Sequence, residues 1–408
     1  MGRFRRLESP FRSSVRVDRA WLRFGRSSGS VNPPRSPSLP WSRRRRMRVA
    51  VTGGGTGGHV FPALEVARYS REKGCEVWYF GSLRGMEAQA CLKEGIGFSG
   101  FPSRPLYTLK SLKGWLSLAA LLRSRAEASR ALRQWKPDVV FSTGGYSSGP
   151  VVSAAQGLGI PTVLHEQNAV PARTTTLFQR RAFAVCTVFE GVSKHLSHAK
   201  ILRTGMPLRR EIRSLASGPR ERDLIPFILI LGGSQGALAL NEAALGAALR
   251  IADLPAHWLN VAGKGAFESA FLSVEKLGLK DCFEVMSFLD APSMAAAYSR
   301  ATLAVCRSGA GTLSELAAYG IPSVTIPYPT SFADHQAANA AEFESFGATQ
   351  LLPQTGLSPT TLADAVRAWL GDPERREVAA AALKRWDRPK ATEEIYELLT
   401  SAASGASN

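Results

Sequence analysis

The sequence lacks the features of a disulfide-stabilised, zinc-binding or membrane-spanning protein. Its five Cys are scattered, odd in number and without a Cys-x-x-Cys pair. Such cysteines suit a reducing cytoplasm and have no zinc-ligand spacing. No apolar run approaches the roughly 18 residues that a membrane-spanning helix needs. We therefore expect neither a disulfide framework nor a transmembrane segment.

Acidic residues are scarce at the start of the chain, where most of the net charge of +18 lies. Residues 1–46 contain 13 Arg, no Lys and two acidic residues, which leaves a modest +7 for the rest and no basis for nucleic-acid binding. This Arg/Ser/Pro-rich leader is expected to be disordered. Two interpretations stay open: a targeting segment, or a start codon assigned too early. We favour the second, because Met47 directly precedes the first predicted strand.

From Met47 onward, strand-like and helix-like segments alternate in the pattern of parallel α/β sheets. The length and the 45% hydrophobic content suffice for two cores. Each half opens with a strand that leads into a glycine loop and a helix, and the boundary is expected within residues 206–225. The predicted strands are RVAV, EVWYF, DVVFS and TVLHE, then FILIL, HWLNVAG, FEVMSFL, ATLAVC and SVTIP; residues 377–400 are predicted to be helical.

Four strand-to-helix turns are rich in glycine: residues 53–58, 143–150, 232–236 and 307–315. Helix N-termini have unpaired N–H groups and a positive dipole end, so they bind phosphate and other anions. Tight turns also require glycine for conformational reasons alone. Four such turns in one chain favour ligand binding.

Two other motifs match these loops in part. Gly53-x-Gly55-x-x-Gly58 satisfies the dinucleotide fingerprint, but the second strand, which ends at residues 79–83, lacks the acidic residue that this site needs. Residues 232–236 match the G-x-S-x-G nucleophile elbow of serine hydrolases, with Asp290 and His335 as possible partners. No spacing supports that triad.

Together, GGGTGGHVFP at 53–62, HEQN at 165–168, GGSQGA at 232–237 and RSGAGTLSE at 307–315 resemble one enzyme family. These are the peptidoglycan glycosyltransferases that add N-acetylglucosamine to undecaprenyl-diphospho-muramoyl-pentapeptide (lipid I), giving lipid II. The resemblance runs from about Met47 to the C-terminal helix. It implies an α/β GT-B fold, with two Rossmann-like doubly wound parallel-sheet domains facing a central cleft. It also implies inverting transfer without metal or cofactor, and the sequence has no Asp-x-Asp.

The resemblance assigns a role to each part of the chain. After the leader, residues 47–210 would form the acceptor and membrane-side domain. Residues 211–375 would form the UDP-sugar-binding domain, and residues 376–408 a C-terminal helix that packs back on the first domain. A sugar-nucleotide epimerase on the same scaffold stays open as an alternative, followed by the serine hydrolase.

The family's donor site carries over residue by residue. The residues implied in the first half to contact UDP-N-acetylglucosamine are Thr56, Gly57, Gly58, Asn168 and, near the diphosphate, Arg209. In the second half, Ser234 would bond the diphosphate, Leu289 would border the uracil, and Gln336, helped by Asn339, would hold sugar hydroxyls. The Glu315 carboxylate would accept hydrogen bonds from the ribose hydroxyls. The stretch that would contact the phosphates consists of Ala310, Gly311, Thr312, Leu313, Ser314 and Glu315.

Some of these residues have a purely structural alternative. Thr312-x-x-Glu315 is also a capping box, and Ser234 is also a good helix cap. Arg209 is alternatively a surface charge, because Met206 stands where the family usually has Asn. The FLDAPSM stretch around Leu289 is longer than the family's form.

For the general base, His59 is the first candidate because it ends the opening loop and an ordinary His titrates near neutrality. A loop-fixing or substrate-binding role is its alternative, and Glu166 is the alternative base. His195 and His198 are expected at the surface rather than on a metal.

The acceptor is a lipid diphosphate, which we place at Gly144, Gly145 and Tyr146 together with the opening loop, residues 53–58. Residues 109–125 combine Leu and Trp with flanking Lys and Arg, which suits a helix lying on an anionic membrane or, alternatively, a core helix. The implied location is the cytoplasmic face of the bacterial inner membrane, as a peripheral protein. Other cell-wall synthesis proteins are possible partners.

Overall fold

A computed structural model describes residues 45–83, 85–103, 112–197, 200–218, 224–233 and 237–405; for residues 112–118 and 332 it describes the backbone alone. Residues 1–44 of the predicted leader lie outside this part. From Arg46 onward the described chain forms one compact unit, which contains two parallel sheets.

The first sheet has seven strands in the order β3-β2-β1-β4-β5-β6-β7. Its central strands are continuous apolar runs because helices cover both faces of the sheet. For example, Val49, Ala50 and Val51 in the first strand are all fully buried. The strands are β1 Arg48–Thr52, β2 Glu76–Ser82, β3 Gly97–Phe101, β4 Val139–Ser142, β5 Thr162–Glu166, β6 Ala184–Thr187 and β7 Ile201–Arg203. The helices are α1 Gly57–Glu72, α2 Glu87–Glu94, α3 Leu112–Trp135, α4 Ser148–Gly157 and α5 Arg173–Phe178.

The second sheet has six strands in the order β10-β9-β8-β11-β12-β13. Its strands are β8 Phe227–Leu231, β9 His257–Val261, β10 Phe283–Met286, β11 Leu303–Cys306, β12 Ser323–Thr325 and β13 Thr349–Leu351. The associated helices are α6 Arg210–Ala216, α7 Leu238–Arg250, α8 Phe267–Lys276, α9 Ala291–Arg300, α10 Ala310–Tyr319, α11 His335–Ser345 and α12 Pro359–Gly371. All paired strands are parallel and the order reverses at the first strand of each sheet, which confirms the predicted doubly wound α/β fold.

The predicted C-terminal helix at 377–400 is two helices, α13 Pro373–Trp386 and α14 Ala391–Ala403. Pro389 lies in the break, where it lacks the N–H that a continuous helix would use. The first of the two packs on α10 and α12, and the second on α1, β4 and β5. Ile395 and Leu399 are buried in the core of the first sheet, so the chain ends on the domain where it began. The exact domain limits stay predictions.

The loops at the carboxyl ends of the strands lie at one edge of each sheet, which is where doubly wound folds bind ligands. No helix in the described part of the chain is long and apolar enough to cross a membrane.

Candidate active site

The loops after β1 and β4 pack against each other through their backbones. The Gly54 N–H donates to the Gly144 carbonyl at 3.3 Å. Gly145 has φ +86°, and a β-carbon on it would lie 2.0 Å from the Gly54 oxygen. Gly55 has φ +93°, and its β-carbon would lie 2.8 Å from the ring of Tyr146. These glycines are therefore needed for loop packing as well as for any ligand.

Other glycines border open space. Among the described residues, no atom would lie within 4 Å of a β-carbon on Gly309 or Gly311, and on Gly58 the nearest would be Thr56 Oγ1 at 3.7 Å. A ligand can approach the backbone at these positions. The glycine-rich loops thus divide into a part that packs on protein and a part that is open to a ligand.

Glu87, at the start of α2, contacts the opening loop, residues 53–58. Its fully buried carboxylate accepts hydrogen bonds from the Gly55 N–H and the Ser147 hydroxyl, both at 3.3 Å. A β-carbon on Gly54 would lie 1.7 Å from the same carboxylate. Glu87 therefore joins the two loops at which we place the acceptor.

His59 lies in the first turn of α1, half-buried beside Gly144. Its Nδ1 is hydrogen-bonded to Thr56 Oγ1 at 3.0 Å. The pKa of His59 is lowered from 6.5 to about 4, first by burial and then by the imidazoles of His335 and His165. The expectation that His59 titrates near neutrality is therefore wrong: enclosure disfavours the charged imidazolium.

Glu166, the alternative base, is buried and already engaged by its own loop. One carboxylate oxygen accepts from the Asn168 N–H at 3.1 Å. The other accepts from the Ala172 N–H at 2.8 Å and the Thr175 hydroxyl at 2.6 Å. Burial raises the pKa of Glu166, although these hydrogen bonds oppose the shift. The contacts favour a loop-holding role for Glu166 and leave His59 as the better candidate for the base.

On the second sheet, helix α10 begins at Ala310 with Gly309 as its N-cap residue. Thr312 already lies within the first turn, so the capping-box alternative is wrong. The N–H groups of Ala310, Gly311 and Thr312 have no acceptor within the helix and are suited to bind phosphate. The predicted contacts of Leu313 and Ser314 need correction, because both side chains are buried and the Leu313 N–H donates to Gly309.

Glu315 links this helix to Arg209. Its carboxylate accepts from Arg209 Nη2 at 3.3 Å and from the Tyr298 hydroxyl at 2.7 Å. Burial raises the pKa of Glu315, and the positive charge of Arg209 opposes that shift. The Arg209 guanidinium also lies over the Phe61 ring, 5.2 Å from its centroid. Arg209 is thus partly buried between α1 and α10, not a free surface charge.

Helix α11 contacts the loop after β5. Asn339 is fully buried and is hydrogen-bonded to Asn168, Ala169 and Ser308. Because the oxygen and the nitrogen of its carboxamide are both hydrogen-bonded within the protein, Asn339 does not take the predicted role of holding sugar hydroxyls. Gln336 is half-buried, and its Oε1 accepts from the Tyr328 N–H at 2.9 Å. Asn168 and Gln336 are brought to one region from different sheets.

The remaining predicted residues include Leu289, whose predicted role needs a correction. The Leu289 side chain is in the core, 8% exposed, so apolar contact with uracil through it is not available; the neighbouring Phe288 is 63% exposed. Ser234 and His198 lie outside the described residues. His195 is exposed, as predicted. Within the described ranges, no cluster of three or more His, Cys, Asp or Glu could hold a metal ion.

Sequence reasoning missed Glu87, Tyr298 and the bridging role of Asn339. No motif marks Glu87, because its partners lie far along the chain. Asn339 was detectable as a polar residue on the buried face of α11 at the three-residue spacing from Gln336, but only the fold shows what it contacts.

Two doubly wound domains, with glycine loops and helix N-termini at the carboxyl ends of their strands, form the GT-B architecture, which is a fold of glycosyltransferases. The models of the Glycosyltransferase family 28 N-terminal and C-terminal domains match residues 49–187 and 227–395. The chain belongs to the MurG family of glycosyltransferase family 28, a relation that the individual relatives below also support.

Two curated relatives are each called UDP-N-acetylglucosamine--N-acetylmuramyl-(pentapeptide) pyrophosphoryl-undecaprenol N-acetylglucosamine transferase. The protein of Anaeromyxobacter dehalogenans (strain 2CP-C) is 38% identical over 363 residues, which cover 86% of this chain and 92% of the relative. That of Methylococcus capsulatus is 36% identical over 361 residues, covering 87% and 99%.

Solved structures agree on the fold. The crystal structure of Acinetobacter baumannii MurG has a TM-score of 0.72 and 29% identity, covering 87% of this chain and 99% of that one. A structure of a putative UDP-N-acetylglucosamine 2-epimerase from Listeria monocytogenes has a TM-score of 0.63, covering 89% and 98%, but is 14% identical and shows the fold alone. The chain is therefore a hexosyltransferase, and neither the epimerase nor the hydrolase alternative has comparable support.

Proposed function

We propose that this chain transfers N-acetylglucosamine from UDP-N-acetylglucosamine to the 4-hydroxyl of the muramoyl residue of lipid I, forming lipid II for peptidoglycan. The observation that carries the proposal is the relation to transferases named for this reaction, at up to 38% identity over 86% of the chain. The reaction is inverting and independent of a metal. Residues 47–210 hold the acceptor, and residues 211–375 hold the UDP-sugar.

The donor binds along α10 and α11. Its diphosphate lies at the N–H groups of Ala310, Gly311 and Thr312, where the helix dipole favours negative charge. Arg209 supplies a fixed cation nearby, and its contact with Glu315 holds the guanidinium in place. The Glu315 oxygens retain lone pairs for ribose hydroxyls. Gln336 and Asn168 contact the sugar, and Thr56, Gly57 and Gly58 border it from the first domain.

The acceptor diphosphate lies at the loops after β1 and β4. Gly144 and Gly145 bring their backbone close to the opening loop, and Tyr146 lies over Gly55. This arrangement puts the acceptor beside His59, whose ring is next to Gly144. The 4-hydroxyl is thereby brought toward the base.

The chemical step is one displacement. The muramoyl 4-oxygen forms a bond to C1 of the sugar, the bond from C1 to the diphosphate oxygen breaks, and UDP leaves. His59 Nε2 takes the hydroxyl proton in the tautomer whose Nδ1–H donates to Thr56 Oγ1, a hydroxyl that is able to accept it. The lowered pKa keeps the imidazole neutral at pH 7, and a bound diphosphate raises the pKa during the reaction because it favours the imidazolium.

The negative charge that develops on the leaving diphosphate is stabilised by groups already in place. Preorganised N–H groups and a fixed guanidinium act without reorganisation at the moment of reaction. This stabilisation requires no divalent ion in the proposed mechanism.

The enzyme reaches its lipid acceptor as a peripheral protein on the cytoplasmic face of the inner membrane. Helix α3 carries the exposed Leu122 next to the exposed Arg123 and Arg125. An apolar residue flanked by cations suits an anionic membrane surface. Residues 109–111 of the predicted membrane segment lie outside the described part. Other cell-wall synthesis proteins are further partners in this proposal.

The test is to incubate the full chain with UDP-N-acetylglucosamine and a lipid I analogue and to identify products by mass spectrometry. The expected result is an acceptor heavier by one N-acetylhexosamine, UDP in equal amount, and no effect of EDTA. A reaction without acceptor is the control. Conversion of the donor to its 2-epimer in that control, or transfer abolished by EDTA and restored by a divalent ion, would overturn the proposal.

A further inference from the structure

Asn339 joins three segments from both domains. Its Oδ1 accepts from the Ala169 N–H at 2.8 Å, in the loop after β5 of the first sheet. Its Nδ2 donates to Asn168 Oδ1 and to the Ser308 carbonyl, each at 3.1 Å. The Asn339 side chain is completely buried, so its contacts with Ala169 and Ser308 are shielded from water, while its contact with Asn168 is partly buried.

The chemistry of these partners determines the orientation of both amides. A backbone N–H only donates and a backbone carbonyl only accepts, so the contacts with Ala169 and Ser308 distinguish Oδ1 of Asn339 from Nδ2. Asn339 therefore donates an N–H to Asn168. The Asn168 atom that accepts this hydrogen bond must be the side-chain oxygen Oδ1. The Nδ2 group of Asn168 has two N–H donors: one is used in the side-chain hydrogen bond to the Glu166 carboxylate, and the other is left for a ligand.

A second contact one helical turn later ties α11 to the first domain. Glu342 accepts from the backbone N–H groups of Glu190 and Gly191, at 3.1 and 3.0 Å. Residues three apart share one face of a helix, so Gln336, Asn339 and Glu342 follow one line along α11. The predicted sugar ligand Gln336 and the loop that carries Asn168 are thus held by the same helix.

We propose that Asn339 is a positioning residue for the transferase. Its carboxamide holds the Asn168 loop against α11 and orients Asn168 so that the amide N–H not bonded to Glu166 faces the donor sugar. Asn168 then binds an acceptor oxygen of that sugar, such as an acetamido carbonyl or a hydroxyl oxygen. This inference rests on the proposed function, because it takes the donor site to lie between Asn168 and Gln336.

The isosteric variant Asn339→Asp tests the orientation. A carboxylate still accepts from Ala169 but cannot donate to Asn168, which turns its own N–H groups toward residue 339 and its oxygen toward the sugar. We expect the Kd for UDP-N-acetylglucosamine, measured by titration calorimetry, to rise about tenfold, as one lost hydrogen bond implies. The Kd for UDP, which has no sugar, is expected to change less than about twofold on the same reasoning.

A matched control separates positioning from general damage. Asn241→Asp places a carboxylate at another buried Asn of the same domain, where Nδ2 donates to the Ala262 carbonyl. It should lower stability without a selective loss of the UDP-sugar. Equal loss of UDP and UDP-sugar binding in Asn339→Asp would show a merely structural role and overturn the proposal.

A double-mutant cycle gives the second test. Asn168→Ala removes the same N–H donor without adding a second carboxylate beside residue 339, so Asn168→Ala and the double variant Asn168→Ala with Asn339→Asp should weaken UDP-sugar binding equally. Independent, multiplicative effects would overturn the proposal. Wild-type protein that binds the donor but transfers no sugar would contradict the proposed function while these binding tests still decide the role of Asn339. Wild type that does not bind the donor would overturn both.

Discussion

The α-carbon of Gly145 lies so close to the Gly54 carbonyl that a β-carbon on Gly145 would be 2.0 Å from its oxygen. The two loops that we assign to the lipid diphosphate thus depend on each other. Their approach requires an absent side chain, and it aligns the backbone beside His59.

We predict that Gly145→Ala reduces transfer to lipid I at least about tenfold while donor binding is retained, because the loops must separate. Gly159→Ala is the control, since Gly159 also has positive φ but no neighbour within 4 Å. Gly159→Ala should lose about 1–2 kcal/mol of stability from the strained backbone, and Gly145→Ala should lose more because it adds the clash with the Gly54 oxygen. Equal transfer rates for the two would contradict the role of the loop contact.

The contact between Thr56 and His59 predicts a loss in kcat when either side chain is changed. His59→Gln removes the proposed base, which is worth about 10²–10⁴-fold in rate. Thr56→Val keeps the shape but removes the partner of Nδ1, and a decrease of about tenfold is expected. Thr176→Val, at an exposed hydroxyl bonded to the Ala172 carbonyl, is the control. Normal kcat in His59→Gln would exclude His59 as the base.

Folding stability should decline in mild acid because of His165. Its Nε2–H donates to the Gly205 carbonyl at 2.9 Å, and its Nδ1 lies 3.4 Å from Gln167 Nε2, which can only donate. Burial lowers its pKa from 6.5 to about 4, an effect that the Gly205 carbonyl partly opposes.

The unfolded chain therefore binds the proton more readily than the folded one between pH 6.5 and 4. The His165 contribution is fully present above pH 6.5 and is lost as the pH falls toward 4. Urea unfolding at pH 7, 6 and 5 should show a falling free energy of unfolding. The fall should be smaller in His165→Asn than in the surface control His195→Asn; identical slopes would contradict this cause.

Arg209 is expected to affect donor binding through charge and through Glu315. Arg209→Ala removes the cation near the diphosphate and leaves the buried Glu315 with Tyr298 alone. The KM for the UDP-sugar should rise about tenfold or more, as for a charge-assisted hydrogen bond. Arg209→Lys should recover part of the effect, because it restores charge but not the planar fork. Arg210→Ala, which breaks the contact of Arg210 with Glu72, should leave KM near wild type.

Membrane contact through α3 predicts a selective effect of Leu122→Glu. Flotation with vesicles that contain anionic phospholipid should decrease, because the variant adds a negative charge where an apolar side chain enters the interface. Leu272→Glu is the control: Leu272 is 56% exposed, against 58% for Leu122, and lies on α8 beside the second sheet. Equal flotation of both variants and wild type would contradict a membrane role for this face.

The sequence predicted most of the fold because its central strands are long apolar runs that enter glycine loops. Nine strands were predicted; β3, β6, β7 and β13 were missed. Of these, β7 and β13 have only three residues each and lie at sheet edges, and β3 contains two glycines. Such strands form because a neighbouring strand provides hydrogen-bond partners. This is an effect of tertiary structure, so the local sequence pattern does not predict it.

The site was predicted as a set of residues but not as a set of contacts. The order of the motifs predicted that Asn168, Arg209 and Glu315 belong to the site. No local sequence feature indicated that Arg209 pairs with Glu315, which is 106 residues away along the chain. Asn339 illustrates the limit most clearly. Its spacing from Gln336 predicted a contact with the donor sugar. In the structure, the packing of the two domains instead brings the Asn339 side chain into contact with Asn168 and Ala169.

The proposed reaction is a single-step, inverting transfer to the muramoyl 4-hydroxyl in the cleft between the two domains. The most direct measurement is the proton NMR spectrum of the disaccharide released from the product made with a lipid I analogue. Because the donor sugar is α-linked to UDP, the account predicts a β-linked N-acetylglucosamine on the 4-oxygen of the muramoyl residue. An α-linked sugar, or attachment at another position, would contradict it.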